Sequence, residues 1–288
     1  MEIQKGKDSD RYSLLKNIAD NHAIAFTFLF LLLDIFITLL QLWPLEIKNS
    51  IVRMNVLTIT NIAAGLLFFC FVYKTDTINA IGLFSAKGIL KGLLLGLPII
   101  SYWIYCALEY ASIWHLRKMP KGYQVLCVLL FVLSIGFNEE LAMRGVVLPV
   151  LLRHWRDKKF GILYAVLLSS VSFGVLHYFQ WHENAFQAAL HVLGTTLVGM
   201  FYATVFLLTK NIWAAVIVHA LYDFWLYLRY FVFYFSSSMS ASREVNKLLG
   251  TSLIENGNTD WILAFVAILP LFITSVIYLT LLMKKKDI

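Results

Sequence analysis

Six side chains able to carry acid–base chemistry fall inside three long apolar runs: Glu139, Glu140 and Arg144 in one, His177 in another, His219 and Asp223 in a third. An ionisable group at mid-bilayer costs roughly 2.5–3.5 kcal/mol on insertion scales, so each needs a partner or a purpose. Helical spacing sorts them. Glu140 and Arg144 stand at i and i+4 with the acid on the N-terminal side, the favourable order for a pair on one face, and can neutralise each other. Glu139 points about 100° away around the axis and is free to face another helix. His219 and Asp223 repeat the i, i+4 spacing, as do Phe173 and His177, which puts an aromatic ring one turn before a histidine.

A glutamate, two histidines and an aspartate facing one site support activation of water for attack on a carbonyl, with a polar group to hold the developing oxyanion. Glu139, with no cation at helical spacing on its own face, is the candidate base. His177 and His219 could donate to the oxyanion. Together with Glu139 they also make a plausible zinc ligand set.

The elements that must position these groups are membrane helices. Of 288 residues, 60% are apolar and 14% charged, against roughly 45–50% and about 25% in soluble domains. Several runs exceed the ~18 mostly apolar residues needed to cross the hydrocarbon layer. The formal charge of +7 comes from Lys and Arg in short loops, which implies attraction to lipid headgroups and not to nucleic acid. Cys70, Cys106 and Cys127 lie in apolar runs with no CxxC spacing, so no disulfide framework or thiolate site follows.

Eight apolar runs predict helices over about 23–43, 54–73, 92–114, 123–152, 160–179, 186–208, 212–235 and 261–283. They form one all-α, polytopic transmembrane domain over 1–288, with an intramembrane active-site cavity and a catalytic core over 131–224. The first run reads as a retained span, and 236–260 as a Ser/Asn-rich loop. Eight helices put both termini on one side. Fifteen Lys and Arg fall on that face and seven on the other, with Arg144 and Arg229 inside helices, which predicts cytoplasmic termini. Counted at about 1.5 Å per residue from those helix ends, Glu139 stands about 20 Å deep, His177 about 25 Å and His219 about 10 Å. The fifth helix is therefore expected to start late or to be broken.

Plainer roles compete for several residues. Glu140 with Arg144 can serve packing alone, and Asp223 can orient His219. His191, with no carboxylate at i±3 or i±4, reads as a packing residue. His182 and Glu183 read as a solvated loop near the cavity entrance, and Glu109 as a helix-end group. Asp34 and Arg229 have no partner on their own helices. Trp213, Trp225 and Trp261 fit interfacial belts or packing.

The segments NEELAMRG, FGVLH and HALYD read as EExxxR (Glu139, Glu140, Arg144), FxxxH (Phe173, His177) and HxxxD (His219, Asp223). In this order, on separate membrane helices, they resemble the three motifs of the CAAX-protease and bacteriocin-processing (CPBP, or Abi) family, over about 131–224. The resemblance implies an intramembrane endopeptidase acting on a peptide or protein at the bilayer, with roles in bacteriocin maturation, self-immunity or peptide-signal processing. By that analogy Glu139 activates water, His177 and His219 stabilise the oxyanion or bind Zn(2+), Asp223 completes the site, and Glu140, Arg144 and Phe173 support it. Asp223 stands where the family often has asparagine. A non-catalytic immunity or scaffold protein, and a proton-coupled transporter, are the competing functions.

Overall fold

A computed structural model describes residues 14–40, 47, 49–109, 111, 119–179, 184–229, 232 and 257–286, and among them every regular element is a helix. Ten α-helices follow in order: α1 (Ala23–Leu40), α2 (Ser50–Lys74), α3 (Ile89–Leu95), α4 (Ile99–Glu109), α5 (Gly122–Glu140), α6 (Leu148–His154), α7 (Gly161–Leu176), α8 (Ala185–Thr209), α9 (Ile212–Arg229) and α10 (Gly257–Lys286). Five uninterrupted helical segments are long and apolar enough to cross a membrane, six if the bent pair α3–α4 is one span. His182, Glu183, residues 236–256 and the side chains of Glu109, Arg229 and Trp261 lie outside the described residues.

Large apolar side chains cover the outside, among them Phe28, Leu29, Phe36, Leu66, Leu94, Leu130, Val171 and Ile277. That inversion suits lipid, where backbone polar groups must be satisfied within the protein. Each helix turns a narrower stripe inward. On α1 the buried residues are Ala23, Phe26, Thr27, Phe30 and Asp34, a helical period. Phe30 meets Phe68 and Phe71 of α2 at ring separations of 5.3 and 5.2 Å. The most enclosed helix is α8, packed between α7 and α10, while α5 packs between α2 and α9.

Among the described residues two of the eight expected runs are interrupted, each beside a proline. The third bends by 51° between α3 and α4, where Gly96–Leu97–Pro98 separates them, because proline cannot donate to the helix and crowds the preceding turn. The fourth extends from Gly122 to His154 but widens into a π-helical turn over Leu141–Val147, where the Leu148 N–H reaches back to the Met143 carbonyl. Pro149 opens α6 and leaves the carbonyl four residues earlier, on Gly145, without its helical donor. The Thr77 hydroxyl supplies one from the turn after α2, at 2.8 Å.

Capping fixes the helices that carry the site. Asn211, fully buried, accepts from Trp213 N and Ala214 N at the start of α9 and donates to the Ser85 and Lys87 carbonyls. Asn184 accepts from Gln187 N at the start of α8. On the polar rim, Lys16 pairs with Asp76 at 2.6 Å and holds that carboxyl below the usual range. None of the three cysteines is in a disulfide among the described residues. Thr77→Val strands the Gly145 carbonyl, and unfolding in detergent should register a loss of about 1–3 kcal/mol; an unchanged midpoint would show that the proline-freed carbonyl has another donor.

Candidate active site

Close approach of α5 to α9 sets the site. Residue 136 is glycine, and a Cβ there would meet the Val216 carbonyl oxygen at 2.8 Å and His219 Cβ at 3.6 Å. Glu139 and Glu140, one turn on, are thereby laid beside His219. Glu140 is fully enclosed. Its Oε1 lies 2.9 Å from His219 Nδ1 and accepts from Arg144 Nη1 at 3.1 Å. Arg144 Nη2 donates to the Gly199 carbonyl at 2.6 Å. Residue 199 is glycine because a Cβ would press on Phe173 at 3.0 Å, in the space the guanidinium uses.

Glu139 behaves differently from its neighbour. Its Oε2 stands 3.6 Å from His219 Nε2 and 4.0 Å from His177 Nε2. That oxygen is enclosed and has no hydrogen-bond partner among the described residues, while the side chain as a whole keeps 30% exposure. Asp223 Oδ2 approaches His219 Nε2 at 3.5 Å. His177 Nδ1 bonds to the Phe173 carbonyl at 2.8 Å. A carbonyl can only accept, so Nδ1 carries the proton and Nε2 of the neutral ring offers its lone pair toward Glu139. His219 has an acceptor oxygen facing each nitrogen and is arranged to donate from both.

Aromatic rings close the site from behind. Tyr202 stacks on His219 at 4.5 Å and 20°, and Phe173 meets the same ring edge-on at 6.0 Å. Both aromatic rings also lie against the Arg144 guanidinium, at 5.0 Å for Phe173 and 5.6 Å for Tyr202.

The structure thus brings together Glu139, Glu140, Arg144, Phe173, His177, His219 and Asp223. The expected mismatch in depth does not arise. Counting from helix ends assumes helices that start on one plane, whereas α7 and α9 have 16 and 18 residues and α5 through α6 spans 33. The fifth helix starts at Gly161 and stays unbroken to Leu176. His177 sits where it tightens into a 3-10 turn. The packing pair Glu140–Arg144 has a second duty: Glu140, not Asp223, holds His219 Nδ1. That bond crosses between helices and leaves no mark in spacing. His191, expected to pack, does so edge-on against His177 at 5.9 Å. Asp34 turns inward on α1 and is buried. Gly199 and Tyr202 were not legible as site residues, because α8 carries no ionisable motif to mark them.

The donor chemistry invites a metal, since both rings are tied back through Nδ1 and present Nε2. The spacing does not fit. Among the described residues no three His, Cys, Asp or Glu side chains are arranged to hold a metal ion, and the 3.6 and 4.0 Å separations exceed the ~3.3–3.5 Å edges of a tetrahedron with zinc bonds of about 2.0–2.1 Å.

Residues 121–225 match the family model for Rce1-like, type II CAAX prenyl endopeptidases. The family is one of intramembrane CAAX peptidases, and the matched segment, a little over a third of the chain, contains all three motifs. The matched segment runs from the start of α5 into α9, so α1 to α4 and α10 lie outside the match. The chain is a multi-pass membrane protein. No curated protein and no solved structure matches it.

Removing Glu140 leaves Arg144 buried without its carboxylate. Glu140→Ala should cost about 3–5 kcal/mol of stability, read from denaturant unfolding in micelles; a loss below about 1 kcal/mol would mean that Gly199 alone satisfies the guanidinium.

Proposed function

We propose that the chain is an intramembrane endopeptidase that hydrolyses a peptide bond of a membrane-associated peptide or protein with a water activated by Glu139. The observation that carries this is Glu139 Oε2, a carboxylate oxygen with no hydrogen-bond partner among the described residues, standing within 4.0 Å of imidazole nitrogens of both His177 and His219. Glu140 does not suit the same part because Arg144 and His219 both engage its Oε1 and its side chain is fully enclosed, whereas Glu139 keeps 30% exposure.

A water between Glu139 and His177 has two acceptors for its protons, the carboxylate and the Nε2 lone pair. Glu139 takes one proton as the water oxygen bonds to the scissile carbonyl carbon. The carbonyl oxygen gains charge, and His219, donating from Nε2, is placed to stabilise it. Glu139 then returns its proton to the amide nitrogen, the C–N bond breaks, and a carboxylic acid and an amine leave. Asp223 beside Nε2 favours the donating form of His219, and Glu140 fixes the ring from the other side. Every group between water and products belongs to this chain.

Zinc held by Glu139, His177 and His219 is the second mechanistic reading, favoured by the Nδ1 tie-backs and opposed by the spacing. A bound metal would supply a polarised water in place of the glutamate-activated one. Among substrates, a prenylated C-terminal peptide follows from the family's description, and a bacteriocin leader or signalling peptide is the alternative. Both termini are proposed to be cytoplasmic, in line with the loop charges.

The test is cleavage of a farnesylated peptide, and of peptides from the native host, by purified protein and by Glu139→Gln. The variant should insert and fold normally and lose about 10²–10⁴-fold in rate. Wild-type cleavage by the variant would overturn the mechanism, and an intact cellular phenotype in both Glu139→Gln and His219→Ala would favour the non-catalytic scaffold. Metal analysis of the same preparations separates the two mechanistic readings: the glutamate–water reading requires substoichiometric zinc and a rate unmoved by chelator, whereas stoichiometric zinc with chelator-sensitive cleavage selects the other.

A further inference from the structure

We propose that Tyr202 is the positioning residue of the site, setting the plane of the His219 ring through its aromatic face and not through its hydroxyl. The inference rests on the hydrolytic reading but concerns a residue outside all three motifs.

An imidazole makes hydrogen bonds in its own plane. The bond from Nδ1 to Glu140 anchors one edge of His219 but leaves the ring able to tilt about that bond, which would swing Nε2 away from both Glu139 and the substrate. Asp223 approaches Nε2 only at 3.5 Å, too long to fix it. A face contact is what removes the remaining freedom. Tyr202 provides it, nearly parallel to the imidazole at 4.5 Å.

Tyr202 can serve as a fixed surface because it is itself immobilised. It is fully buried, meets Phe173 and Tyr222 edge-on at 6.4 Å each, and lies against the Arg144 guanidinium. Arg144 in turn holds Glu140, the anchor of His219. One ring therefore touches both the imidazole and the cation that orients its partner. The hydroxyl has no hydrogen-bond partner among the described residues although it is enclosed. A buried unpaired hydroxyl does not help packing, so the useful part of the side chain is its ring.

The experiment compares Tyr202→Phe, Tyr202→Leu and the space-filling Tyr202→Met in full-length protein. Tyr202→Phe should keep wild-type kcat. Tyr202→Leu should lose about 10- to 100-fold in kcat with KM little changed, as misplacement of one catalytic group does. If Leu prevents folding, Met is read in its place. In a His219→Ala background the Leu or Met change should have no further effect on residual cleavage, because it acts through the missing ring. Histidine ¹⁵N spectra should show the hydrogen-bonded Nδ1 signal of residue 219 kept in Phe and broadened or lost in Leu. Inactivity of Tyr202→Phe would assign the role to the hydroxyl and overturn the proposal, as would an additive loss in the His219→Ala background or an unchanged kcat in Leu and Met. Active Glu139→Gln would instead remove the hydrolytic reading, while the spectra would still test whether Tyr202 orders the ring.

Discussion

A single carboxylate holds two charges' worth of structure in this protein. Glu140 Oε1 is shared by Arg144 and His219, in an interior where neither the guanidinium nor the acid could remain unpaired. Burying such a group in isolation costs several kcal/mol, which pairing at Glu140 Oε1 and at the Gly199 carbonyl offsets here. The shared bond therefore ties α9 to the end of α5. The Gly199 carbonyl, receiving the other end of Arg144, adds α8 to the same knot. Glu139, next along the chain, has no cation of its own at that distance and turns its Oε2 toward the two imidazoles instead. Structural and chemical roles are separated by a rotation of one residue.

The helices reach these positions through local departures from ideal geometry. Gly136 lets α5 and α9 approach until backbone nearly meets backbone. The π-helical turn over Leu141–Val147 redirects the chain between the two glutamates and Pro149, and such turns recur at functional sites because they place side chains where a regular helix would not. Lipid offers no donor for the carbonyl that Pro149 releases. Thr77 does, from the far end of α2, so the distortion beside the site is secured by a loop remote from it in sequence.

Much of this was legible in the residues. Apolar run length located all eight helical regions, and the i, i+4 rule placed Glu140 with Arg144, turned Glu139 away, and set His219 and Asp223 on one face. Spacing fails across helices, and there the sequence was silent: it did not reveal that Glu140 reaches His219, that Gly199 receives Arg144, or that Tyr202 lies on the imidazole. The counted depths misled for a related reason, since a count of residues carries no information about where a helix starts relative to its neighbours. Asp34 had no partner within its own helix, and only the fold shows that it turns inward.

Convergence of Glu139, His177 and His219 can be measured without a substrate, in membranes, on a chain whose three native cysteines are replaced and whose residue 139 is cysteine. A thiolate and two imidazoles within reach of one ion make a soft-metal trap. Cadmium should therefore shield Cys-substituted position 139 from maleimide, and changing either His177 or His219 to alanine should weaken that shielding at least about tenfold in cadmium concentration. Shielding that is absent, or indifferent to both histidines, would contradict a common site for the three helices.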